Sequence, residues 1–348
     1  MTMRQADATP ILDVRNLTTH YPSPVGPVKA VNDVSLSLRE GEILGIVGES
    51  GCGKSALLLS VMRLVPFPGR IVGGSAFLEG QDLMALDEAA MRNVRGRKIA
   101  MVFQDPMTSL NPAHRVGQQI VEAMAVHGIG ESGASGGEGA GNNGASASRW
   151  RRQRAIELMA QVGIPHPETR FNQYPHEFSG GQQQRIMIAV ALACGPRVLL
   201  ADEPTTSLDV TIQAQVLELM RKINEETGTA IMMVTHDLPL AGDFCHNIAV
   251  MYAGRIVEYG SADAVMESPA HPYTRALLAS MPEFGRRERL VPVPGEVPDL
   301  SRLPSGCAFW PRCALRVDVC METRPELGEV EPGHLAACHL VASCTACA

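Results

Sequence analysis

Glu42-Ile43-Leu44-Gly45-Ile46-Val47-Gly48-Glu49-Ser50-Gly51-Cys52-Gly53-Lys54-Ser55 joins two patterns with different physical demands. Its first six residues are a short, mostly apolar run, as a strand buried on both faces requires. The remainder fits Gly-x4-Gly-Lys-Ser in full and opens a helical pattern from Lys54 to about Leu64. Strand, glycine-rich turn and helix in that order make a phosphate-binding loop. The glycines let consecutive backbone N–H groups turn toward a phosphate, and the helix N-terminus adds positive potential there. Gly48, Glu49, Ser50, Gly51, Cys52 and Gly53 form the cradle. Lys54 would reach the β- and γ-phosphates of a nucleotide, and Ser55 would ligate Mg²⁺.

On either side of this loop the chain alternates strand and helix patterns. Ile11–Tyr21 and Ala30–Leu38 are rich in Val, Leu and Thr with polar alternation. Ile99–Phe103, Val198–Ala201 and Ala230–Val234 read as buried strands. Helical spacing falls between them, at Gln182–Ala193 and Ile212–Glu226. Strands that alternate with helices predict an α/β fold around a mainly parallel sheet. Residues 128–148 interrupt this texture: 16 of the 21 are Gly, Ser or Ala, which predicts a flexible surface loop before a helix over Trp150–Val162. The arginines at 149, 151, 152 and 154 read as a solvated face of that helix. After Gly260 comes a helical segment, Thr274–Met281, and then Pro-rich chain toward the C-terminus.

Composition narrows the class of function. The 348 residues are 45% hydrophobic and carry a net charge of −7, so a sizeable core is available and binding to nucleic acid through bulk positive charge is not expected. The longest clean apolar run, Ile186–Cys194, is nine residues, about half of what a membrane span needs. The polar N-terminus shows no secretory signal, so the cytosol is the expected compartment.

Two further motifs carry chemistry. Val198-Leu199-Leu200-Ala201-Asp202-Glu203 is an apolar strand ending in two carboxylates. Asp202 can hold Mg²⁺ through water, and Glu203 can act as general base on an attacking water. Ser179-Gly180-Gly181-Gln182 opens a long helix and makes either a second phosphate-facing nest or an ordinary helix cap.

Taken together, residues 11–260 resemble the nucleotide-binding subunit of an ATP-binding-cassette (ABC) transporter, with the motifs in family order. The resemblance places Tyr21 as the aromatic that stacks on adenine and Gly48–Ser55 as the Walker A loop. Gln104, within Phe103-Gln104-Asp105-Pro106, becomes the Q-loop residue beside Mg²⁺ and the attacking water. Ser179–Gln182 becomes the signature sequence, and Asp202 with Glu203 becomes Walker B. Ser207-Leu208-Asp209 becomes the D-loop, and His236 the switch histidine. Phe178 stands where the family usually has Leu, which keeps an apolar anchor. The implied fold is a P-loop ABC domain over residues 1–260. It comprises a parallel-sheet core, an antiparallel β subdomain and a helical subdomain at about 105–190. A small irregular Cys-rich extension follows at 261–348. Phe103–Pro112, Ala201–Gln213 and His271-Pro272-Tyr273-Thr274 are similar to the dipeptide/oligopeptide importer subfamily, which also includes nickel and glutathione importers.

That resemblance implies an ATPase that binds ATP and Mg²⁺ and powers peptide import from the cytoplasmic side of the membrane. It also implies a second ABC ATPase subunit (usually a different chain, so a heterodimer, with a homodimer as the other arrangement). Two transmembrane permease subunits and, indirectly, an extracytoplasmic peptide-binding protein complete the set. Nickel or glutathione import, or an ABC ATPase outside transport, are the alternatives. A translation-associated ABC protein would need two cassettes, a DNA-repair ABC ATPase a long coiled-coil insertion, and a GTPase an Asn-Lys-x-Asp motif; the chain has none of these.

Six of the nine cysteines fall in the last 42 residues. Cys307, Cys313, Cys320 and Cys338 offer four thiolates in a region, 305–348, with few large apolar residues. Four cysteines can hold a [4Fe–4S] cluster or tetrahedral Zn²⁺, or remain reduced structural thiols. An iron–sulfur cluster occurs in some peptide-importer ATPases that resemble this chain, which makes it the first expectation. His334 and His339 read as surface histidines.

Overall fold

The computed structural model describes residues 9–130, 143–206, 208–281 and 292–342. They form two compact units, one from the segments before residue 86 and after residue 231, the other from residues 86–231.

The first unit contains two sheets. One is antiparallel, in the order β2 (Val28–Leu38), β1 (Leu12–Tyr21), β4 (Arg70–Leu78) and β5 (Gln81–Asp82). Leu12 sits opposite Leu38 on one side and Leu78 on the other, and all three are buried. Along β2 the exposure alternates, as expected for a sheet with one buried face. The second sheet carries the loop expected to bind phosphate. Its strand β3 (Ile43–Val47) pairs in parallel with β9 (Asn247–Tyr252). β10 (Arg255–Ser261) pairs antiparallel with β9. β12 (His334–Ala336) and β11 (Gly328–Glu331) extend that edge. All five residues of β3 are buried, so Val47 delivers the chain to Gly48 from a rigid strand.

In the second unit β6 (Ile99–Val102) pairs in parallel with β7 (Val198–Asp202), and both are buried throughout. The chain returns to the first unit along β8 (Ala230–Thr235). The longer helices of this unit are Val116–Val126, Asn143–Gln161, Gly180–Leu192 and Val210–Thr227.

The α/β prediction holds, with an antiparallel edge added in the first unit. Three local expectations change. The helix expected from Trp150 begins at Asn143, so 143–148 are helical rather than loop; residues 131–142 of the expected loop lie outside the described residues. The early start follows from packing: Ala147 is buried, and the Trp150 ring lies against Gly130. Nor is the C-terminal stretch simply an irregular wrap, because β12 and β11 bring it back into the sheet. Finally, His334 is not a surface residue: it is 3% exposed and its Nε2 meets Glu258 at 2.7 Å. His339 is half-buried, with Nε2 2.8 Å from the Thr323 carbonyl.

Candidate functional site

The glycine-rich loop expected to bind phosphate leaves β3 and enters the helix Lys54–Val61. Its geometry explains the glycines. Gly51 and Gly53 have φ of +81° and +108°, in the left-handed region that suits residues lacking Cβ. A Cβ on Gly53 would collide with the Ala30 carbonyl oxygen, and one on Gly48 with the Met251 carbonyl oxygen. Lys54 is 4% exposed and its Nζ folds back onto the loop, donating to the carbonyls of Gly48 at 2.7 Å and Glu49 at 3.1 Å. The ammonium is thus held over the cradle by backbone oxygens. Cys52 is fully buried beneath it, and burial pushes its thiol pKa up against the opposing pull of Lys54. Ser55 is the second residue of the helix.

Elsewhere in the first unit, Tyr21 ends β1 half-buried, its ring against Gly69, and burial raises its phenol pKa. His236 follows the last residue of β8 and is exposed.

The second unit gathers the carboxylates and the signature residues. Asp202 ends β7, 7% exposed. Glu203 turns away from the strand with φ of +44°. Its Oε2 accepts from Gln104 Nε2 at 3.3 Å and from Thr206 Oγ1 at 2.8 Å. The Q-loop residue and the general-base candidate, 99 positions apart in sequence, are therefore brought into contact. Thr206 was not singled out from the sequence; its signal was its place three residues after Glu203, in the turn that follows the strand.

Ser179 is the N-cap of the helix Gly180–Leu192, and Gln182 Oε1 accepts its N–H at 3.3 Å. Gly180 has open space where a Cβ would stand, whereas at Gly181 a Cβ would come 2.6 Å from Ile212 Cγ2. Phe178 is 6% exposed with Arg170 over its ring, so the departure from Leu keeps a packed anchor. Asp209 caps the helix Val210–Thr227, its Oδ1 accepting from Ile212 N–H at 3.0 Å. Ser207 lies outside the described residues.

The cysteine expectation fares differently. Cys307, Cys313, Cys320 and Cys338 are free thiols, and all four line one small cavity with Phe309 and Trp310. Burial raises the Cys313 and Cys338 pKa values and lifts that of Cys307 to about 11. Among the described residues, however, no group of three or more His, Cys, Asp or Glu side chains is arranged to hold a metal ion, so neither an iron–sulfur nor a zinc site is borne out. The thiols share a cavity without the converging geometry of a ligand set. Cys344 and Cys347 lie outside the described residues.

No described helix is long and apolar enough to cross a membrane. Residues 31–206 match the ABC transporter family model, and residues 257–320 match the oligopeptide/dipeptide transporter C-terminal region. A probable peptide ABC transporter ATP-binding protein of Sinorhizobium fredii is 48% identical over 332 residues, covering 94% of each chain. The dipeptide transport ATP-binding protein of Escherichia coli is 46% identical over 330 residues, covering 94% of this chain and 96% of that one. Among solved structures, a dimeric ATP-binding cassette in a post-hydrolysis state, bound to ADP and Pi, aligns with a TM-score of 0.61 at 29% identity, over 72% of this chain and 98% of that one. A glycine cradle with a buried lysine, a carboxylate pair at a strand end and a capped signature helix agree with these matches, and the chain belongs to the ABC transporter family, in which it carries the C-terminal region of the oligopeptide/dipeptide transporter branch.

Proposed function

We propose that this chain is the ATP-hydrolysing subunit that powers import of di- and oligopeptides. The observation that carries the reading is the pairing of an intact Glu203, oriented by Gln104 and Thr206, with a C-terminal region that matches the oligopeptide/dipeptide transporter model. The names of the relatives point the same way: dipeptide transport in Escherichia coli, peptide import in Brucella melitensis.

In this reading Gly48–Gly53 and Lys54 hold the phosphates of ATP, and Tyr21 stacks on its adenine. Ser55, Asp202 and Gln104 would hold Mg²⁺, which when bound would neutralise charge on the phosphates. Glu203 accepts a proton from the attacking water, and His236 steadies the γ-phosphate. Ser179, Gly180, Gly181, Gln182 and Asp209 serve the site of a second ATPase subunit, so that two chains sandwich two nucleotides. A different partner chain, two permease subunits and a peptide-binding protein outside the membrane complete the transporter, with this chain docked on its cytoplasmic side. The domain boundary is placed near residue 260, between the ATPase domain and the extension. Cys307, Cys313, Cys320 and Cys338 would be the ligands of an iron–sulfur cluster or zinc. Four thiols on one cavity support that, although among the described residues they do not converge as a ligand set, and the proposed ATPase cycle does not involve them. Iron, sulfide and zinc analysis of the purified chain decides between a cluster and plain thiols.

The test is uptake in cells whose only copy carries Glu203→Gln, with labelled di-, tri- and pentapeptides, glutathione and nickel in parallel. Selective loss of peptide uptake is expected. Loss of nickel or glutathione uptake alone would overturn the substrate while leaving the motor. Undiminished transport of every substrate would sink the general-base assignment.

A further inference from the structure

Glu49 occupies one of the free x positions of the phosphate-binding loop, where the motif asks for no particular side chain. It is nevertheless held at three points by the C-terminal region. Arg312 Nη1 and Nη2 donate to its two carboxylate oxygens at 2.7 and 2.9 Å. The Glu49 N–H donates to the Tyr273 hydroxyl at 2.9 Å. Arg312 and Tyr273 both lie within the 257–320 match.

Neither partner is a loose surface group. The Arg312 side chain is 5% exposed. Its Nε donates to the Pro294 carbonyl at 2.7 Å, and Nη1 also reaches the Tyr252 hydroxyl at 3.3 Å. Its guanidinium lies 5.7 Å from the Tyr252 ring centroid and 5.9 Å from that of Phe309. Tyr273 is fully buried, with its ring 4.5 Å from Tyr252 and 5.4 Å from Phe309. A pre-organised fork that meets both oxygens of a carboxylate gives direction as well as energy.

On its other side Glu49 faces the working part of the loop. Its carbonyl accepts from Lys54 Nζ at 3.1 Å and from Cys52 N–H at 3.2 Å. These contacts form a chain: Arg312 and Tyr273 hold Glu49, and Glu49 holds Lys54. Between these anchors lie Gly51 and Gly53, whose backbones have little conformational preference of their own. A glycine-rich loop keeps one shape only if something outside it supplies the restraint.

We propose that Arg312 and Tyr273 are positioning residues for nucleotide binding: the C-terminal region clamps Glu49 and so pre-shapes the phosphate cradle around Lys54. The inference rests on the reading of Gly48–Ser55 as the phosphate-binding loop. It gives the C-terminal region a part in nucleotide binding whatever the state of its thiols.

The full-length chain is titrated with a non-hydrolysable ATP analogue and Mg²⁺, beside its urea unfolding midpoint. Arg312→Met is expected to weaken binding about tenfold, the scale of one charge-assisted bidentate contact. Arg312→Lys should recover only part of this, because one ammonium cannot span both oxygens. Tyr273→Phe, which deletes a single oxygen, is expected to cost about threefold in affinity. Adding Glu49→Gln to Arg312→Met should cost little more, since both break the same contact. Binding within twofold of wild type in folded Arg312→Met and Tyr273→Phe would overturn the clamp, as would additive losses from Glu49→Gln and Arg312→Met. Where Arg312→Met fails to fold, Tyr273→Phe and Glu49→Gln decide alone. Lys54→Ala separates the two levels. If it abolishes binding, the loop reading stands and the clamp is judged on its own variants; if it binds normally, the loop reading falls and the clamp with it.

Discussion

Glu203 carries a left-handed backbone, φ +44°, which costs a residue with a side chain roughly 1–2 kcal/mol. That conformation turns its carboxylate off the strand axis to meet Thr206 and Gln104. The hydroxyl of Thr206 is the shorter of the two contacts, so it does more to orient the Glu203 carboxylate. Thr206→Ala should lower kcat for ATP hydrolysis about three- to tenfold with KM for ATP within twofold, as expected when an orienting group rather than a binding group is removed. Thr206→Ser, which keeps the hydroxyl, should restore most of the rate. A rise in KM at constant kcat would instead place Thr206 in nucleotide binding.

Helix ends show which elements local sequence specifies. The helix Val210–Thr227 starts at the Asp209 cap and stops at Gly228, where φ is +67° and the N–H returns to the Asn224 carbonyl. An Asp before the first turn and a Gly after the last are among the strongest local signals available. Periodicity alone bounds that helix at Ile212–Glu226, one turn or less from its observed ends. Asp209→Ala should cost about 1 kcal/mol, read as a lowered urea midpoint, while Asp209→Asn should hold most of it. That cap is a structural duty, separate from any D-loop duty toward a partner. Asn143–Gln161 is the opposite case. Its first turn is Asn, Gly, Ala and Ser, which locally reads as loop, and it is helical because Ala147 finds a buried position and Trp150 packs on Gly130. No local signal carries that information.

Within the first unit, β12 is tied to β10 through Glu258. Its carboxylate is fully buried and accepts from the N–H groups of Ala270 at 2.6 Å and His271 at 3.0 Å, and from His334 Nε2 on β12 at 2.7 Å. Burial pushes its pKa up, but the His334 and backbone donors outweigh burial and hold it below the ordinary value. A carboxylate with a depressed folded pKa contributes stability that is present above its unfolded value and is lost as pH falls through the folded one. Glu258→Gln should therefore destabilise the chain by roughly 3 kcal/mol at neutral pH, the scale of weakening several hydrogen bonds to a buried ionised carboxylate. The gap to wild type should narrow below about pH 4.5, the ordinary glutamate range. Urea midpoints of both proteins from pH 7 to pH 3 check this, and a gap independent of pH would remove the carboxylate's charge from the account.

Much of this molecule is written in short sequence windows. Gly48–Ser55 and the apolar strand running into Asp202 and Glu203 are legible directly, because their patterns depend on residue types at fixed spacing, while Ser179 is legible only as either a nest or a helix cap. The burial of β3, β6 and β7 followed from unbroken apolar runs for the same reason. Three features came only from the folded chain. Gln104 meets Glu203 across 99 residues, Glu49 meets Arg312 across 263, and Glu258 meets His334 across 76. In each, one member sits at a position whose local pattern asks for nothing, and its partner is chosen by how distant segments pack. The cysteine region marks the same divide: four thiols announce metal chemistry by composition, but a ligand set is a matter of angles and distances, which sequence spacing does not contain.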